Sequence, residues 1–115
     1  MKVLLVNGSP HKEGCTFTAL TEVEKELNAA GVETEMIWLG VKPISGCLGC
    51  GACCRRGPNG EPASLRCFMN DPVNEFLDKA EKADGFVFGS PVHYAALSGA
   101  LTSFMDRAFY GKGKI

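Results

Sequence analysis

Val3, Leu4, Leu5 and Val6 form an unbroken apolar run with none of the alternation of a half-wet strand. Such a run predicts a strand buried on both faces of a parallel sheet. Asn7-Gly8-Ser9-Pro10 ends it, and Thr16 to Ala30 reads as a helix with Leu20, Val23, Leu27 and Ala30 on one stripe. Gly31 stands where a helix commonly closes. From Val32 to Leu39, Val32, Thr34, Met36 and Trp38 alternate with Glu33 and Glu35, which predicts an edge strand with one wetter face and places Trp38 in the core. Gly40 to Asn70 carries no sustained period and is far longer than an ordinary connection. Asp71 then caps a helix with Pro72 at its first position and Val73, Phe76, Leu77 and Ala80 on its buried stripe. Gly85 to Gly89 is a third buried strand, leaving through Ser90-Pro91-Val92-His93-Tyr94. Ser98 starts a last helix lined by Leu101, Phe104, Met105 and Ala108, followed by a short basic tail to Lys114 and Ile115.

The order is β-α-β-(Cys loop)-α-β-α, which predicts a parallel sheet with right-handed crossovers. Ligands of such sheets bind beyond the carboxyl ends of the strands, so the loops after strands one and three face one crevice. A buried strand leading into a helix N-terminus presents free N–H groups and a positive dipole end, an anion site that most often takes phosphate. The first loop lacks the Gly-Lys-Ser/Thr ending of a P-loop, and Gly8 and Gly14 do not make G-x-G-x-x-G. It offers the hydroxyls of Ser9, Thr16 and Thr18, the weak donor Cys15 and two glycines. A plain Gly/Ser turn with nothing bound fits the same residues. Cys15, at a helix N-terminus, fits either a redox thiol or part of the anion site. His93 and Tyr94 fit either a wall against a planar ligand or packing residues.

With 115 residues the chain is one domain at most, covering residues 1–115. A net charge of -1 gives no basic field, so neither nucleic acid nor an anionic membrane is an expected partner. No apolar run is long enough to span a bilayer, and Met1 to Val6 is too short for a signal-peptide core, so a cytoplasmic location is expected. Six cysteines are many for a reducing compartment and argue for metal or redox chemistry over disulfides. Cys47, Cys50 and Cys53 have the C-x2-C-x2-C spacing that lets three thiolates converge on one cluster face. The ferredoxin place for a fourth cysteine holds Gly57, which leaves Cys67 as the fourth ligand and Cys54 as a bystander. An iron–sulfur cluster, a zinc ion held by these thiolates and free thiols in a loose loop all remain open.

Together, Gly8 to Thr16 (GSPHKEGCT), the run Cys47-Cys50-Cys53, and Ser90-Pro91-Val92-His93-Tyr94 leading through Ser98-Gly99 to Phe104-Met105-Asp106-Arg107 resemble the NADPH-dependent FMN reductase family, nearest to its iron–sulfur flavoprotein branch. The likeness runs over essentially the whole chain. It implies a flavodoxin-like three-layer α/β/α fold with FMN bound non-covalently. Ser9, His11, Gly14, Cys15 and Thr16 would hold the phosphate, and Pro91, Val92, His93 and Tyr94 would lie along the flavin ring. It further implies hydride transfer from NAD(P)H to FMN and onward to a quinone, aromatic, flavin or protein acceptor, with no side chain acting as acid or base. Cys47, Cys50, Cys53 and Cys67 would hold a 4Fe–4S cluster if one is present, and a homo-oligomer is expected. The alternatives are an electron-transfer iron–sulfur flavoprotein and a non-enzymatic zinc-binding or interaction module.

Three departures from the family pattern matter. His11 stands where many relatives carry arginine, which would make phosphate binding pH-sensitive. Thirteen residues separate Cys53 from Cys67, more than the short gap of cluster-bearing relatives. The family sheet has five strands and this sequence supplies three. Gly85 to Gly89 is then expected as a raw apolar edge, and the chain as a fragment, a truncated form or one whose edge a partner covers.

Overall fold

The computed structural model describes residues 1–64 and 66–110. Three parallel strands, β1 (Lys2–Asn7), β2 (Glu33–Trp38) and β3 (Gly85–Gly89), form a sheet in the order β2-β1-β3. β1 is central, with Leu5 opposite Met36 on one side and opposite Val87 on the other. Its burial on both faces follows from that position. Leu4 and Val6 pack against α2 (Pro72–Ala80) and α3 (Gly99–Tyr110), and Val3 and Leu5 pack against Leu20 of α1 (Cys15–Ala29). This is the three-layer arrangement the sequence predicts.

The core is unequal on the two faces. The α2/α3 side gathers Val73, Phe76, Leu77, Ala80, Leu101, Phe104 and Ala108, with Phe76 and Phe104 edge to face at 4.6 Å. Asp71 caps α2 as expected, its carboxylate accepting from the Val73 N–H at 3.1 Å. On the other face one helix lies on the sheet among the described residues, and Leu20 alone of α1 is buried, while Val23 and Ala30 of the expected stripe are exposed. β3 is half-buried along its length instead of buried, because no strand pairs with its outer edge among the described residues. The basic tail to Lys114 and Ile115 lies outside the described residues.

Trp38 departs from its expected place in the core. It ends β2 with its ring 36 % exposed, its indole N–H donates to the Ser9 carbonyl at 2.9 Å, and the Lys12 ammonium sits 5.7 Å from the ring centre. The alternation of β2 carries its side chain to the sheet's carboxyl end, where there is a loop to brace and no helix to bury it.

Glu35 of β2 lies between the ammonium groups of Lys79 and Lys2, the latter at 3.2 Å. The Lys79 hydrogen bond, opposed by burial and aided by Lys2, holds its carboxyl below the ordinary 4.5. A lowered folded pKa contributes stability above the ordinary value and loses it as pH falls through the folded one. Glu35→Gln is therefore expected to cost up to about 1 kcal/mol at neutral pH. In urea titrations, the difference from wild type should shrink as pH falls below the ordinary carboxylate range.

Candidate functional site

The loop after β1 is built on Asn7, which is fully buried. Its carboxamide oxygen accepts from the Ser9 N–H at 3.0 Å, and its amide donates to the Lys12 carbonyl at 3.1 Å. The Ser9 hydroxyl accepts from the His11 N–H at 3.1 Å. Asn7 thus fixes the loop from below, Ser9 from within and Trp38 from the side. Gly14 sits at the N-cap of α1 without a side-chain cap, so the first-turn N–H groups at Cys15, Thr16 and Phe17 keep their donors for a ligand. Cys15 and the His11 ring are exposed and Thr16 is half-buried. Thr18 turns its hydroxyl back onto the Gly14 carbonyl at 3.1 Å and is engaged within its own helix.

The second loop differs from an irregular exit. Val92–His93 (β4) and Ala96–Leu97 (β5) form a two-stranded antiparallel hairpin turned by Tyr94 and Ala95, with φ of 45° and 58°. Left-handed backbone at two consecutive non-glycine residues suits a tight hairpin turn and costs about 1–2 kcal/mol each. The Tyr94 side chain is fully exposed at the tip and Val92 is exposed beside it, while Pro91 is half-buried.

Ser98 joins the two loops. Buried, it donates its hydroxyl to the Gly8 carbonyl at 2.7 Å and accepts from the Leu101 N–H at 3.3 Å, which caps α3. Its own N–H donates to the Ser90 hydroxyl at 2.9 Å. Gly8 permits the approach: a Cβ there would lie 2.8 Å from the Leu101 Cβ. Between the loops lies a cavity of about 340 Å³, bordered by Gly8, Pro10, Lys42, His93, Ser98 and Ser103. Of the predicted flavin-wall residues, the structure brings His93 to this cavity and leaves Val92 and Tyr94 outward. Lys42 and Ser98 also border it, with no local motif that marks either as a site residue. The signal for Lys42 is that the chain leaving β2 starts at the same carboxyl edge.

The cysteine loop is irregular apart from a 3-10 turn at Ala52–Cys54. Gly49 and Gly51, with φ of 66° and 73°, turn the chain between its cysteines through the left-handed region. Cys47, Cys50 and Cys53 of the spaced run and the more distant Cys67 line one pocket. Among the described residues no three such side chains converge tightly enough to hold an ion. Cys54 is exposed, yet its sulfur lies 3.7 Å from that of Cys53, and burial followed by this neighbour pushes the Cys53 thiol up. Two anchors fix the loop's far end. The Asn74 amide donates to the carbonyls of Cys67 and Met69 at 2.9 and 3.1 Å. Arg107 forks onto Asp71 at 2.5 and 2.8 Å.

Residues 1–115 match the family described as NADPH-dependent FMN reductase, and the chain belongs to that family. It is 37 % identical over 108 residues to an iron–sulfur flavoprotein of Methanocaldococcus jannaschii, covering 94 % of this chain and 52 % of that protein. It is 32 % identical to an iron–sulfur flavoprotein of Archaeoglobus fulgidus, covering 93 % of this chain and 45 % of the other. The chain thus spans about half the length of the curated relatives it matches. A crystal structure of a Streptococcus mutans protein superposes with a TM-score of 0.65 over 95 % of this chain and 53 % of its own, at 19 % identity, which supports the flavodoxin-like fold. Among the described residues no helix is long and apolar enough to cross a membrane.

Proposed function

We propose that this member of the NADPH-dependent FMN reductase family binds FMN at the carboxyl edge of its sheet and serves an NAD(P)H-dependent oxidoreductase. The observation that carries this reading is the junction of the first and second loops through Ser98 around one cavity. Its volume of about 340 Å³ lies at the small end of small-molecule sites, and the loop that borders it at Gly8 and Pro10 runs on to the uncapped N-terminus of α1. These residues fit the cofactor. The N–H groups of Cys15 and Thr16, with the Ser9 hydroxyl, would hold the phosphate, and the Asn7 brace keeps them aimed before binding. Gly14 lets backbone approach there, and the His11 ring is exposed on the same loop. Pro91 and His93 would border the flavin, while Tyr94 on its outward hairpin would close over the ring. When bound, FMN supplies the redox chemistry, taking hydride from NAD(P)H and passing electrons to a quinone, aromatic or flavin acceptor.

A second reading is favoured by the pocket lined by Cys47, Cys50, Cys53 and Cys67. Four thiols with the spacing of a cluster run have the donor chemistry of an iron–sulfur site. The relatives named iron–sulfur flavoproteins support an electron-transfer role. We place the protein in the reducing cytoplasm as a homo-oligomer. Anaerobic purification followed by an absorption spectrum, with acid-labile sulfide and metals assayed on the same sample, tests both readings. Flavin without sulfide selects the reductase, and flavin with sulfide selects the electron-transfer protein. Zinc in a colourless protein that takes up no added FMN overturns the flavin reading in favour of a metal-binding module.

A further inference from the structure

We propose that Arg107 completes the cysteine site, holding the two ends of the cysteine loop together so that Cys67 joins Cys47, Cys50 and Cys53. This rests on reading the four-thiol pocket as a metal–thiolate site. Arg107 is on α3, far from the cysteines in sequence, yet it lines their pocket with its side chain only 1 % exposed. Its two terminal nitrogens take up Asp71 at 2.5 and 2.8 Å, and they also reach the carbonyls of Ser45 and Met69, each at 3.4 Å. Ser45 precedes Cys47 by two residues and Met69 follows Cys67 by two. One planar guanidinium therefore grips the entry and the exit of the loop, which a lysine, with a single point charge, would not reproduce.

This answers the difficulty of the thirteen residues between Cys53 and Cys67. A short gap would deliver a fourth thiol by spacing alone. Here the fourth thiol is placed by tertiary anchors, Arg107 on one side and Asn74 on the other. The charge matters as well as the grip. Four thiolates in one pocket repel each other, and a fixed guanidinium beside Cys67 offsets that repulsion. A guanidinium stays protonated in proteins, so the charge is permanent. The remaining nitrogen, Nε, is buried with no hydrogen-bond partner among the described residues. A buried unpaired donor is unusual, and one bordering a pocket of thiols has a natural acceptor in a metal-bound sulfur.

The test uses cobalt(II) as the probe on the purified protein, with iodoacetamide labelling of each cysteine read by peptide mass spectrometry. In the wild type, cobalt should protect Cys47, Cys50, Cys53 and Cys67 and leave Cys15 and Cys54 reactive. In Arg107→Met, the rate at Cys67 should rise about 10-fold or more while the other three stay protected, and cobalt affinity should fall about 10–100-fold. Equal protection of Cys67 in both proteins overturns the proposal. If cobalt protects no thiol in the wild type, the metal reading falls by itself. The positioning role is then judged by tryptic cleavage after Arg55 and Arg66 in metal-free protein. An increase of about 10-fold or more in Arg107→Met supports it, and an unchanged rate overturns it. Should Arg107→Met unfold, Arg107→Lys decides by the same readouts, because it keeps the charge and loses the fork.

Discussion

Phe104→Ala is expected to cost about 3–5 kcal/mol of folding stability. Phe104 is 1 % exposed on α3, meets Phe76 of α2 edge to face at 4.6 Å, and shares its cluster with Leu4 and Val6 of the central strand. Truncating it opens a cavity at the point where two helices and the sheet converge, and packed surroundings on all sides limit collapse. For a domain of this size the loss corresponds to a fall of about 12 °C or more in the thermal midpoint. Calorimetry of the variant beside Val23→Ala checks it, since Val23 is exposed on α1 and its truncation should cost about 0.5 kcal/mol or less. A Phe104→Ala loss no larger than that of Val23→Ala would place the core elsewhere. The consequence reaches the site, because α3 carries Ser98 at its N-terminus and Arg107 in its last turn.

The second large effect is expected at Asn7. Asn7→Ala removes the acceptor of the buried Ser9 N–H and the donor to the Lys12 carbonyl together. Leaving such a group unpaired costs about 1–3 kcal/mol. The loop proposed to take the FMN phosphate also loses its preorganisation, so FMN affinity should fall about 10-fold or more, with the ordering cost now met at binding. Quenching of flavin fluorescence on titration with protein measures the affinity, and urea unfolding of the same samples measures stability. A destabilised variant with unchanged FMN affinity would move the phosphate away from this loop.

Several parts of this molecule are legible one residue at a time. The unbroken run Val3 to Val6 announces a central strand, because only a strand covered on both faces tolerates it. Asp71-Pro72 announces the start of α2 through capping chemistry that needs no partner from elsewhere. Cys47, Cys50 and Cys53 stand out by their spacing and residue type, and they line one pocket with Cys67. Other features have no local signal. Trp38 fits the pattern of a core residue, and its true neighbours, Ser9 and Lys12, are brought to it by the parallel pairing of β1 and β2. The hairpin at Tyr94 and Ala95 lacks the Asn-Gly or Gly-Gly that usually marks such a turn, so its sequence reads as plain loop.

Local sequence encodes the order of the three sheet strands and the three helices, the flavodoxin-like family and the residue types at each candidate site. Periodicity, capping and turn chemistry are encoded within a few neighbouring residues. The tertiary structure alone decided that Ser98 ties the two loops, that α1 buries little beyond Leu20, and that Arg107 sits among the cysteines. Each of those facts joins residues far apart in the chain, and their closeness is set by how the helices pack across the sheet.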